Sequence, residues 1–193
     1  MTPTREILWN VGTLGRIAIY ALLVIPIAFL TFGLARRVKM WRLGQPEDRF
    51  DQWTLRFKGA FTQSVMHGRI NRRRNRYGGL MHLLIFWGFL TLFIGTVIVM
   101  VEDDISVPFL HYSFYRGNFY LGYKFAMNLA GLMLIAGVLL ALSRRLLKPP
   151  STQDTSADDI VLLAFLLVLT VQGFTLQALR LAVQHDPWGP WSF

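Results

Sequence analysis

Residues 79–101 read GLMHLLIFWGFLTLFIGTVIVMV, an apolar run whose one ionisable side chain is His82. As a helix it rises about 34 Å, enough to cross the roughly 30 Å hydrocarbon core of a bilayer. A spanning segment must satisfy its own backbone hydrogen bonds, and apolar residues here do not alternate with period two. The run therefore reads as a transmembrane helix and not a barrel strand. Imidazole is unfavourable in hydrocarbon, which makes His82 a functional candidate. Neutral imidazole there can ligate a metal, usually haem iron in an electron-transfer membrane protein. It can equally hydrogen-bond to a neighbouring helix or a lipid headgroup.

Three more apolar blocks are of similar length: Ile17–Ala35, Tyr120–Leu142 and Ile160–Val183. Together with 53% hydrophobic residues and a mean hydropathy of +0.40, they predict an all-α membrane protein. The expected fold is a bundle of four transmembrane helices in a single domain, 1–193. Pro26 lies mid-span and should kink the first helix. Between the first two spans, Trp53, Phe57 and Phe61 recur at i, i+4 and i+8 with Arg56 and Lys58 among them. That spacing predicts an amphipathic helix lying in the membrane interface. The chain has no cysteine, which excludes c-type haem attachment, thiolate-held iron–sulfur clusters and disulfides within it.

A net charge of +9 could suggest nucleic acid, but its placement argues otherwise. Residues 36–76 carry twelve of the twenty Lys and Arg. They belong to a basic loop, 36–78, between two spans, where the positive-inside rule accounts for them and nucleic-acid binding is not needed. The same rule puts the N-terminus outside, with the first span retained as an anchor. It puts the acidic loop 102–119 outside, loop 143–159 inside and the tail 184–193 outside. The run Arg72–Arg76 should meet anionic headgroups or an acidic partner surface.

Small and polar residues inside the spans narrow the reading. Gly88 and Gly95 lie on nearly one face of the second helix, where small residues admit either a neighbouring backbone or a flat macrocycle. Lys124 should snorkel to the surface, and Asn128 should hydrogen-bond to another helix. Gln172, Gln177 and Arg180 form a polar stripe near the end of the fourth span. Arg180 could pair with a haem propionate or a quinone carbonyl, or anchor the helix at the interface. His67, His111 and His185 lie outside the spans and read as solvated.

Several ordered motifs carry a resemblance. They are Gly79-Leu80-Met81-His82, Phe86-Trp87-Gly88-Phe89, Gly95-Thr96, Gly117-Asn118-Phe119-Tyr120, Arg144-Arg145, Gly173-Phe174, Ala178-Leu179-Arg180 and Trp188-Gly189-Pro190-Trp191-Ser192. In this order they resemble the membrane cytochrome b domain related to the gamma subunit of respiratory nitrate reductase. The similarity is greatest to versions fused ahead of a heterodisulfide-reductase-like iron–sulfur oxidoreductase region, among them electron-transfer-flavoprotein:quinone oxidoreductases. The resemblance runs from about residue 15 onward. It implies a b-type haem domain in a prokaryotic cytoplasmic membrane, passing electrons between a cytoplasmic iron–sulfur or flavoprotein donor and quinone. His82 matches the family's axial histidine, with Met81, Phe86, Trp87, Gly88 and Gly95 around the cofactor and Arg180 at a family arginine position. Gln177 stands where the family carries glutamate. The family's second axial histidine follows on a fifth helix and its iron–sulfur region follows that. Neither is within the 193 residues, so a longer polypeptide or a second one is expected to complete the site, and the 193 residues alone are expected to hold haem weakly or not at all.

A second reading, from a different class, is a non-redox membrane anchor or assembly subunit that recruits a soluble partner through the basic loop. A transporter is not supported, because intramembrane polar residues are sparse and no pair of interrupted helices is visible.

Overall fold

Helical backbone does not stop where apolar side chains do, since each added residue contributes a hydrogen bond whatever its side chain. All four expected spans are present in the computed structural model, and each helix extends beyond its apolar run. The structure describes residues 2–45, 51–65, 76–147, 157–184 and 186–191. The first span is α1 (Thr13–Trp41). A short helix, α2 (Trp53–Ala60), follows and continues into a π turn at Phe61–Val65. The second span is α3 (Arg76–Val101), prolonged by a π turn (Glu102–Ser106) and a single turn, α4 (Val107–Leu110). The third is α5 (Gly117–Leu147) and the fourth α6 (Ala157–Gln184), before a 3-10 turn at Gly189–Trp191. No strand occurs among the described residues. The protein is an all-α membrane bundle.

The chain divides into two units, Glu6–Lys58 and Met1–Arg5 with Gly59–Phe193. In the first, α1 runs as one helix through Pro26. The helix expected at Trp53 is α2, with Trp53 and Phe57 exposed and Arg56 paired to Asp51 at 2.6 Å.

In the second unit α5 packs against both α3 and α6. Small residues set the spacing. A Cβ on Gly88 would lie 2.8 Å from the Leu134 backbone nitrogen and 2.9 Å from the Ala130 carbonyl oxygen. Across the same seam, a Cβ on Gly137 would lie 2.8 Å from the Ile85 nitrogen. The two antiparallel helices are thus in backbone contact at reciprocal glycines, the small-residue packing of membrane helices. Leu134, Val138, Ala141 and Leu163 form the buried core, with Met81, Ile85 and Leu166 against it.

The acidic segment differs from expectation. Residues 102–110 are helical and not an open loop. The π turn directs Glu102 inward, where it is 2% exposed. Its carboxylate accepts hydrogen bonds from Ser113 Oγ at 2.5 Å and the Phe114 N–H at 3.2 Å. A buried carboxylate needs such donors, and here they tie the connection 111–116 to the end of α3. His111 caps this turn, exposed, at φ 50°.

Candidate functional site: a membrane groove, its polar mouth and an exposed histidine

Because α3 and α6 pack on different sides of α5, a groove of about 450 Å³ opens between them. Phe89, Phe93 and Thr96 of α3 form one wall, Leu169 and Phe174 of α6 the other, and Met127, Asn128 and Gly131 of α5 the floor. Gly131 admits the Phe174 ring, which a Cβ there would meet at 2.6 Å. The few polar groups are internally engaged. Thr96 and Thr170 donate to the carbonyls of Leu92 and Leu166, four residues earlier. The expected interhelical bond of Asn128 runs from Gln177 Nε2 to Asn128 Oδ1 at 2.9 Å. Asn128 Nδ2 is buried with no partner.

Towards the start of α5 the groove joins a second cavity of about 230 Å³, sharing Leu92, Thr96, Met127 and Gln177 with it. Its lining is polar: Arg5, Lys124, Arg180 and the phenols of Tyr115, Tyr120 and Tyr123. The N-terminal segment reaches it because the Gly117 N–H donates to the Pro3 carbonyl at 2.7 Å. That puts the Arg5 guanidinium 5.9 Å from the Tyr115 ring centre.

Here one expectation is corrected. Lys124 does not snorkel: it is 5% exposed and its ammonium bonds Asp186 Oδ2 at 3.2 Å and the Trp188 carbonyl at 2.8 Å. Arg180 is engaged at the same end. It donates to Gln184 at 3.0 Å and lies 3.5 Å from Asp186. The tail 186–191 folds back over the bundle, so charges that could have reached water are covered by their own chain. Burial alone would raise the Asp186 pKa, but the Trp188 N–H, Lys124 and Arg180 together hold it below the usual aspartate value. Burial pushes the Tyr115 phenol far above its ordinary range, with Arg5 opposing, so it is a neutral hydroxyl at any physiological pH. Sequence reasoning missed this cluster. Arg5, Arg180 and Asp186 are far in the chain from Lys124 and its neighbouring tyrosines, and the one available signal was several intramembrane charges at one end of the bundle.

The residues expected to surround a cofactor do not all converge. His82 is exposed on the flank of α3. Its ring stacks with Phe86, centroids 6.4 Å apart and planes at 29°, and Trp87 meets Phe86 edge-on at 5.8 Å. Phe89, Phe93 and Thr96 follow His82 at i+7, i+11 and i+14, so the histidine shares a stripe with the groove's α3 wall. Gly88 and Gly95 face elsewhere. The room at Gly88 is taken by the α5 backbone and that at Gly95 by the Met127 side chain. Arg180 lines the cavity beside Leu92 and Thr96, which lie about 15–21 Å along α3 from His82. His67 and His185 lie outside the described residues, as do Arg72–Arg74. No group of three or more His, Cys, Asp or Glu able to hold a metal occurs among the described residues.

At the opposite end, Tyr77 Oη bonds the Leu140 carbonyl and Ser143 Oγ, each at 2.9 Å. Arg145 pairs with Asp159 at 2.7 Å. The start of α3, the end of α5 and the start of α6 are therefore together, and His82 lies near them.

No protein-family model matches the chain, and no solved structure matches it. Among curated proteins, an EtfAB:quinone oxidoreductase of Syntrophomonas wolfei subsp. wolfei (strain DSM 2245B / Goettingen) is 34% identical over 170 residues. The match covers 86% of this chain, which spans 22% of the length of that relative.

Proposed function

We propose that this chain is the membrane domain of a quinone-linked electron-transfer enzyme, with His82 as an axial ligand to a b-type haem. The similarity to an EtfAB:quinone oxidoreductase over 86% of the chain carries this reading. The geometry of His82 supports it. An imidazole on an open apolar flank, beside Phe86 and clear of the α3–α5 seam, leaves room for a flat macrocycle. The four spans contain no other histidine, so the chain's spans fit one axial position and the second comes from elsewhere. A b-type haem bound there would supply one-electron exchange. The protein's own part is to present the imidazole on an apolar helix face. Phe86 restricts the ring's orientation from one side. In this reading Gly88 and Gly95 act indirectly, by fixing α3 on α5.

Fifteen of the twenty Lys and Arg fall in residues 36–76 and 144–148. In our reading that end faces the cytoplasm of a prokaryote, with the N-terminus outside. His82 then lies near the cytoplasmic surface, within reach of a docked flavoprotein or iron–sulfur donor, and quinone arrives from the bilayer. The test is the dithionite-reduced minus oxidised visible spectrum of the full-length native protein. A b-type absorbance is expected, lost or strongly shifted in His82→Ala and retained in His111→Ala. An unchanged spectrum in His82→Ala would remove haem ligation from this residue. A wild-type protein without haem absorbance would favour the plain membrane anchor.

A further inference from the structure

The polar mouth of the groove has more donors than its own acceptors can use. Arg5, Lys124 and Arg180 all line the cavity, and the carboxylate beside it, Asp186, already accepts from Lys124 and the Trp188 N–H and lies 3.5 Å from Arg180. Tyr115 and Tyr120 are buried, at 2% and 1% exposure, and their hydroxyls form no hydrogen bond of good geometry, lying close only to Tyr123 and Arg180, which line the same cavity. Arg5 Nε has no hydrogen-bond partner. Buried polar groups are normally satisfied, so unpaired donors around a cavity ask for a bound acceptor. Three cations against one carboxylate make that acceptor an anion.

Depth narrows its identity. Helix α5 has 31 residues and rises about 46 Å, some 16 Å more than the hydrocarbon core, or about 8 Å of headgroup layer at each end. Tyr120 and Lys124 lie in the first two turns from Gly117, at the boundary between headgroups and acyl chains. The cavity opens inward into the apolar groove through Leu92 and Met127. The ligand therefore has an anionic head at headgroup depth and an apolar chain running towards the bilayer centre.

We propose that this cavity binds the phosphate of an anionic phospholipid whose acyl chain lies in the groove between α3 and α6. The site is independent of haem at His82, which is on the α3 flank about 15–21 Å away along the helix axis. Arg5 and the phenols of Tyr115 and Tyr120 grip the phosphate oxygens, while Lys124 and Arg180 supply charge without leaving Asp186.

Native mass spectrometry of the full-length protein, purified in detergent and titrated with phosphatidylglycerol or phosphatidylcholine of identical chains, tests this. One phosphatidylglycerol should be retained at least several-fold more tightly than phosphatidylcholine. Arg5→Gln and Tyr120→Phe, which spare the Lys124–Asp186 pair, should each weaken that retention several-fold. Arg144→Gln at the other end of α5 should not. Circular dichroism of the variants confirms that they are folded. Equal retention of the two lipids, or wild-type retention in both variants, overturns the proposal. Displacement of the lipid by millimolar inorganic phosphate alone would show a soluble-anion site and overturn it as well.

Discussion

Lys124 and Asp186 show what a single pair of side chains can do at a membrane boundary. Both are nearly buried, at 5% and 6% side-chain exposure, and 62 residues apart in sequence. A buried charge left alone is strongly unfavourable, so Asp186→Ala, which strands Lys124, should destabilise the docked tail by about 3–5 kcal/mol. The pair is also pH-dependent in one direction. The folded Asp186 carboxyl ionises below its ordinary value, which is about 3.9 in an unfolded chain. Its contribution is therefore complete above that value and lost as pH falls through the lower folded pKa. Hydrogen–deuterium exchange at residues 186–191 should stay protected from pH 7 to about pH 4 and rise below that, after correction for intrinsic rates. In Asp186→Asn protection should be weaker at pH 7 and lack this acid step. The same acid step in the variant would mean that another group holds the tail.

At the level of elements, glycines that look alike in sequence do different work. Gly88 faces backbone atoms of α5, which cannot move without parting the two helices. Gly95 faces the Met127 side chain, whose flexible end can swing away. Gly88→Ala should therefore open the α3–α5 seam and destabilise the bundle by about 1–3 kcal/mol, the usual range for overpacking. Gly95→Ala should fall well below that. Thermal unfolding of both variants in one detergent checks the order, and equal losses would contradict it. Gly88→Ala should also perturb any cofactor on His82, since it shifts the helix that carries the histidine.

Across the whole molecule, charge and chemistry are segregated between two ends. Arg76, Arg144 and Arg145 gather at the His82 end, while the tyrosines, Glu102 and the Lys124 cluster gather at the other. Orientation follows from the Lys and Arg bias. A cysteine at position 113 should react with a membrane-impermeant thiol reagent in intact cells, and one at position 151 should react after permeabilisation alone. Residues 1–193 contain no cysteine, so each introduced thiol is the sole reporter within them. Labelling of 151 but not 113 in intact cells would invert the topology.

The class of the protein was decided by sequence. Four apolar runs of bilayer length leave helices as the permitted spanning form, and each run became one. The Asn128 bond was legible too, because an amide in hydrocarbon must find a partner on another helix. The His82 stripe could be drawn from helical spacing. What lay beyond the sequence was which residues distant along the chain would meet. An intramembrane lysine reads as snorkelling until a tail folds back to cover it, and an acidic run reads as a loop until a π turn buries its first carboxylate. Glycines admit a macrocycle or a backbone equally well until a neighbouring helix fills the space. Local pattern fixes which segments enter the membrane, since that depends on each segment's own transfer from water. Which side chains meet there depends on helix register and packing, and those are properties of the assembled bundle alone.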